Sequence, residues 1–216
     1  MADTAAGPDR WHFESRLWAE GYRRVMGLDE VGRGCLAGPV VAAGVILDGK
    51  KESLRELLKE VADSKQLDLP TRQKLVTVIK EEALYWTVQE GSVEEVIEHN
   101  ILNASLLAMQ KCADANGADP DFLLVDGNRY MDSIIPHKCL VKGDDRSVSI
   151  GAASILAKVY RDELMWSLHE KYPYYGWDTN VGYPTQKHYK GLQEYGISPL
   201  HRRNFNLKTE KELKVE

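Results

Sequence analysis

The chain carries only 3 cysteines in 216 residues. They lie far apart, at Cys35, Cys112 and Cys139, and no C-x-x-C pair occurs. An odd and scattered set excludes a disulfide framework and a cysteine-paired metal site. Free thiols in a reducing cytoplasm are the expectation. The opening MADTAAGPDRWHFE lacks a basic stretch followed by an apolar one, so it does not read as a secretory signal. No apolar run is long enough to cross a bilayer. The longest, CLAGPVVAAGVIL at 35–47, is interrupted by Gly38, Pro39 and Gly44. An excess of positive charge is missing as well. At a formal net charge of -5 the chain does not attract nucleic acid as a whole, so such a partner would need a local basic patch. Internal repeats and low-complexity segments are absent from the sequence.

What is present suits a soluble α/β domain. Hydrophobic residues make up 43% of the chain, enough for a sizeable core, and charged residues make up 28%. Residues 22–29 (YRRVMGLD) and 40–47 (VVAAGVIL) read as strands, the second buried on both faces. A short helical stretch at 52–61 precedes a helix that has Pro70 at its start and Leu75, Val78 and Ile79 on one face. LYWTVQE at 84–90 alternates like a strand, and 101–116 reads as an amphipathic helix. DFLLVDG at 121–127 is a short strand ending in an acid and a glycine. The longest helical signal follows VKGDD and is closed by Pro173. Its start, Gly151-Ala152-Ala153-Ser154, is small enough to let a neighbouring backbone come close. A last helix spans about 184–195. The part from about 166 onward reads as helical and has too few apolar residues for a core of its own.

Asp29, Glu30, Asp126 and Asp144 stand out, because most lie at or beside apolar runs, where a carboxylate needs a cation or hydrogen bonds. Ligands of α/β sheets bind at strand ends. Neighbouring side chains of a straight strand point to opposite faces. The glycines of GLDEVGRG are therefore expected to end the strand after Asp29 and bend it, turning both acids inward. Such a cluster suits hard divalent ions, and two ions about 3.5–4 Å apart suit phosphodiester hydrolysis. The plainer alternative is a set of cap and turn acids on a solvated surface.

The segments LDEVGRGCLAGPVVAAGVIL, DSKQL, LLVDG, VKGD, IGAASILAKVYRDELM and GYPTQKHYKGLQEYGISPLHRRNF, in this order, closely resemble bacterial ribonuclease HII over roughly residues 22–206. The resemblance implies a ribonuclease-H-like fold, a mixed five-stranded sheet flanked by helices with a helical C-terminal segment. It implies an extension at 1–20, a catalytic domain at 21–206 and a tail at 207–216. The implied activity is hydrolysis of the RNA strand of RNA–DNA hybrids and cutting 5′ of single ribonucleotides embedded in duplex DNA, leaving 3′-hydroxyl and 5′-phosphate ends, with Mg²⁺ or Mn²⁺ required. Ribonucleotide excision repair and RNA primer removal are the matching roles, in a monomer without a membrane partner. Asp29, Glu30, Asp126 and Asp144 fall on the catalytic and metal-binding acids, Gly32, Arg33 and Gly34 on the family's Gly-Arg-Gly, and Tyr183 on its site tyrosine. Two positions depart from the family pattern. Val181 replaces a lysine and Pro184 replaces a glycine, although Lys187 and His188 follow closely.

A ribonucleotide differs from a deoxyribonucleotide at one place, the 2′-hydroxyl. Residues without Cβ let the backbone approach that group, which is the expectation for Gly32 and Gly34, with Tyr183 against the sugar. Lys65, Lys158, His201 and Arg202, with Arg203, are candidates for phosphate contact, which positions a duplex without reading its sequence. For Lys158 and Arg161 the competing reading is a solvated helix face, with Lys158 paired to Asp162 one turn on. Other functions open on the same residues are a ribonuclease HIII, a non-enzymatic nucleic-acid binder and a metal-dependent phosphatase for small molecules.

Overall fold

In the computed structural model residues 9–58 and 68–207 are described. The element order is α1 (His12–Ala19), β1 (Val25–Val31), β2 (Val40–Ile46), α2 (Ser53–Leu57), α3 (Leu69–Glu82), β3 (Tyr85–Gly91), α4 (Val93–Ala113), β4 (Phe122–Asp126), β5 (His137–Leu140), α5 (Val148–Lys171), α6 (Trp177–Asn180) and α7 (Gln186–Tyr195). The strands form one five-stranded sheet in the order β3-β2-β1-β4-β5. β1 pairs antiparallel with β2 and parallel with β4, and β4 pairs parallel with β5. This is the mixed sheet expected. The short, half-exposed β5 has no alternating pattern in the sequence to mark it.

The sheet is covered on both faces, which explains the unbroken apolar run of β2, buried at every position. On one face Val41, Ala43 and Val45 meet Leu75 and Ile79 of α3 and Ile155 and Leu156 of α5. On the other, Met26, Leu28 and Ala42 meet Ala108, Met109 and Cys112 of α4. Each fully buried leucine or isoleucine of these layers stabilises the fold by about 1.5–3 kcal/mol. α5 lies very close to β1. A Cβ on Gly27 would sit 2.3 Å from the Ser149 carbonyl carbon, so only glycine allows that contact.

Caps set the helix starts. The Asp68 carboxylate accepts from Thr71 N at 3.0 Å, with Pro70 in the first turn of α3. Ser92 and Glu95 form a capping box on α4. α4 changes direction at Asn100, where φ is +66°, and the Asn100 side chain caps the second half through Leu102 N and Asn103 N. α1 belongs to the same core. Trp11 and Leu17 are buried, and Val148 N donates to Arg10 O at 3.1 Å.

Candidate active site

β1 does not stop at Asp29. It stays paired with β2 through Glu30 and Val31, opposite Ala42 and Val41. The expected bend before the glycines is therefore corrected: the strand remains straight and its alternation persists. Glu30 shares the α4 face with Met26 and Leu28. Asp29 lies on the α5 face, within hydrogen-bonding influence of Ser154. What joins the acids is the sheet. β4 runs parallel to β1, with Leu28 opposite Val125. Asp29 and Asp126 are the next residues of the two strands, so both stand at the C-terminal edge. Asp126 faces Leu140 of β5, and the chain leaving β5 makes a single 3-10 turn, Gly143–Asp145, that holds Asp144.

The carboxylates act on one another. Asp29 is pushed well above the usual carboxylate range, first by burial and then by the charges of Glu30 and Asp126. Burial also raises Glu30, opposed by Arg33 and reinforced by Asp126. Asp126 is raised by burial and by Asp144, while the Gly143 amide pulls it down. Crowded, desolvated carboxylates of this kind disfavour their own ionisation. Glu30, Arg33 and Asp126 line a cleft of about 220 Å³. A larger cavity of about 600 Å³ lies between α3, β3 and α5. It contains one carboxylate, Glu163, and lies away from the cluster.

Among the described residues no three histidine, cysteine, aspartate or glutamate side chains form a ready-made metal-ligating group. Three of the acids have protein partners. Asp29 Oδ1 accepts from Glu30 N at 2.8 Å, Glu30 Oε1 from Arg33 Nη1 at 3.0 Å and Asp126 Oδ1 from Gly143 N at 2.6 Å. One oxygen of each acid is thus turned to a protein donor. Glu30 Oε2 is buried with no hydrogen-bond partner. Carboxylates raised by desolvation and by neighbouring acids, with an unpartnered oxygen among them, fit a divalent cation by charge and by donor type.

Beyond β1 the chain turns at Gly32, where φ is +93°. A Cβ there would fall 2.2 Å from Arg161 Nε. The glycine is thus required by a buried arginine as well as by its own backbone. Gly34 is different. It is exposed, and a Cβ there would meet the Tyr183 ring at 3.7 Å. Tyr183 keeps 38% of its surface exposed. Arg202 Nη1 donates to Arg33 O at 3.1 Å. Since the carbonyl and N–H of a trans peptide point opposite ways, the Gly34 N–H points away from Arg202. The structure thus brings Gly34 and Tyr183 together and leaves both accessible.

The basic residues divide. Lys65 lies outside the described residues. Lys158 pairs with Asp162 at 2.7 Å, one helical turn on. Arg161 is not on a solvated face. It is fully buried and donates to Pro39 O, Val181 O and Ala37 O at 3.1, 2.7 and 3.1 Å. His201 and Arg202 are corrected in the same way. Both are 0% exposed, so neither can clamp a phosphate. Arg202 donates inward to Gly38 O at 2.9 Å, and of the trio only Arg203 is exposed. His188 is buried too, while Lys187 pairs with Asp178 at 3.1 Å. In sequence these arginines look like any surface cation. For Arg202 the charge-poor SPL just before it was the available signal; Arg161, between Lys158 and Asp162, carried none.

The mixed sheet in this strand order, flanked by helices, is the ribonuclease-H-like fold. A family model described as Ribonuclease HII matches residues 26–208. The chain belongs to the ribonuclease HII family, and with it to the ribonuclease H enzymes. It is 50% identical over 198 residues to a ribonuclease HII from Salinibacter ruber, covering 90% of this chain and 96% of that one. It is 53% identical over 184 residues to one from Bacteroides thetaiotaomicron, covering 84% and 88%. Among solved structures it resembles the ribonuclease H2 from Pyrococcus horikoshii OT3, with a TM-score of 0.75 at 26% identity over 88% of this chain and 97% of that one.

Proposed function

We propose that this ribonuclease hydrolyses the RNA strand of RNA–DNA hybrids and also cuts 5′ of a single ribonucleotide embedded in duplex DNA, leaving 3′-hydroxyl and 5′-phosphate ends. The observation that carries this reading is that the buried Asp29 and the half-buried Glu30 and Asp126 are joined through Arg33 to the accessible Gly34–Tyr183 pair. One half suits phosphodiester hydrolysis, and the other suits a sugar edge. A solvated-surface origin for the acids does not account for the burial of Asp29 and Asp144.

Asp29, Glu30, Asp126 and Asp144 are the residues that would hold Mg²⁺ or Mn²⁺. When bound, a pair of such ions supplies an activated water and charge stabilisation at the leaving oxygen. The protein's own part is orientation. The sheet fixes Asp29 and Asp126 side by side, Gly143 N steers Asp126, and Arg33 steers Glu30. The Gly34 N–H and the exposed part of the Tyr183 ring face the ribose, where the 2′-hydroxyl is the feature that separates RNA from DNA, while the Tyr183 hydroxyl is held by the Cys35 thiol. Lys158, half-buried beside Asp162, and Arg203 remain placed to meet phosphate. The chain works as a monomer in the cytoplasm. No helix among the described residues is long and apolar enough to cross a membrane.

The test is a labelled DNA duplex containing one ribonucleotide, with Mg²⁺ or Mn²⁺. The expected product is a single nick on the 5′ side of the ribonucleotide, with an all-DNA duplex left intact. Cleavage of the all-DNA control, or cleavage that persists in EDTA, overturns the proposal.

A further inference from the structure

We infer that His188 and His201 are positioning residues for Tyr183, forming a relay of two neutral imidazoles in fixed tautomers that anchors the Tyr183 carbonyl and so sets the stance of its ring. The inference rests on the reading of Tyr183 as the sugar contact.

The relay can be solved from both ends. Ser198 N can only donate, and it lies 2.9 Å from His201 Nδ1. That nitrogen is therefore an acceptor, and the His201 proton sits on Nε2. At the far end, Tyr183 O can only accept, and it lies 2.9 Å from His188 Nδ1. The His188 proton is therefore on Nδ1, and its Nε2 is an acceptor. The two Nε2 atoms are 3.1 Å apart, so His201 Nε2–H donates to His188 Nε2. A third group agrees: Trp177 Nε1–H, which is only a donor, lies 3.2 Å from the same His188 nitrogen, so the two donors share its one lone pair. Any other tautomer pair leaves an N–H without an acceptor or a lone pair facing a lone pair. Both rings are fully buried, where an unmade hydrogen bond is costly. Burial also lowers both pKa values, that of His201 to about 4, which keeps the rings neutral as the relay requires.

The turn that carries Tyr183 needs such an anchor. Val181 has φ +41° and Gly182 has φ +90°. A β-branched residue in that region is strained and persists only where its surroundings hold it. The segment that carries His201 also supports the glycine turn. Gly38 N donates to Leu200 O at 2.9 Å, and Arg202 N donates to Leu36 O at 2.8 Å. The relay thus ties the Tyr183 ring to the scaffold that presents Gly34, and the spacing between ring and backbone is set by buried hydrogen bonds.

Two measurements on the full chain test this. In imidazole ¹⁵N spectra at neutral pH, His188 should appear as the Nδ1–H tautomer and His201 as the Nε2–H tautomer. The reverse assignment for either ring, or rapid averaging, overturns the inference. The second compares His188→Asn, which keeps an N–H near Nδ1, with His188→Gln, which does not. On a duplex with one ribonucleotide, kcat/KM should fall about tenfold or more in His188→Gln and within about threefold in His188→Asn. Mn²⁺ affinity by titration calorimetry should be unchanged in both. Equal losses in the two variants, or altered Mn²⁺ affinity, would mean a merely structural role. Tyr183→Ala serves as the control and should depress single-ribonucleotide cutting more than long-hybrid cutting. If it does not, the sugar-contact reading fails and takes the inference with it. If it does and His188→Gln matches the parent protein, only the relay fails.

Discussion

A carboxylate at a strand end is ordinary, but three raised by burial and then by a neighbouring carboxylate are not. Converting one of them to an amide removes charge from a crowded site, so activity and stability should move in opposite directions. Asp29→Asn and Asp126→Asn are expected to lose about a hundredfold or more in cleavage rate. Their melting temperature at neutral pH, without divalent ions, should hold or rise. Near-normal rates in either variant would remove these residues from the site. The two glycines of the turn should also part company. Gly32→Ala places a methyl against Arg161 at a φ of +93° and should lower stability by more than about 1 kcal/mol. Gly34→Ala meets only the Tyr183 ring at an ordinary 3.7 Å. It should melt within about 0.5 kcal/mol of the parent and yet bind ribonucleotide-containing duplex more weakly. Thermal melts and a binding titration on the same preparations separate the two effects.

At the scale of elements, α1 braces the acid-bearing end of the sheet. Glu14 Oε1, fully buried, accepts from Ser149 N at 3.0 Å and from the Ser147 and Ser149 hydroxyls at 2.5 and 2.6 Å. Ser147 is the N-cap of α5, and the Arg10 guanidinium donates to Asp144 O. The segment read from sequence as a preceding extension thus holds both the start of α5, through Glu14 of α1, and the turn of the fourth acid, through Arg10 just before it. Glu14→Ala should cost about 1–3 kcal/mol, because three donors lose their acceptor. Glu14→Gln, which keeps an acceptor oxygen, should cost less. Chemical denaturation of the two variants gives the comparison, and an equal cost would remove the cap from the account.

For the molecule as a whole, two sets of groups respond to pH in opposite senses. The carboxyls of Asp29, Glu30 and Asp126 are raised in the fold. Their contribution to stability is full below the ordinary carboxylate range and is lost as pH rises through their folded values. His201 is lowered to about 4, so its contribution is full above 6.5 and declines as pH falls toward 4. Divalent ions compete with protons for the same carboxylates. The gain in melting temperature from added Mn²⁺ should therefore be larger at pH 8 than at pH 5. An equal gain at both values would mean that the ions bind somewhere other than the acid cluster.

Much was legible in the primary structure because the signals are local. Short apolar runs marked β1 to β4, Pro70 marked the start of α3, and runs such as DEVGRG and LLVDG marked where the acids stand. Periodicity reports only which side of an element is dry, so it could not say which residues from distant segments share a space. The sequence by itself determined most of the elements, the family and the candidate acids, while β5, α1 and the first half of α4 were not among those elements. Tertiary structure alone decided that Asp29 and Glu30 stay on opposite faces of an unbent strand, because parallel pairing with β4, and not a kink, brings Asp126 beside them. It also decided that Arg161, His201 and Arg202 turn inward. The two arginines are drawn from water because fixed carbonyls from separate turns converge on them, and the neutral His201 because Ser198 and His188 pair both its nitrogens; such convergence is a property of the fold that no stretch of residues contains.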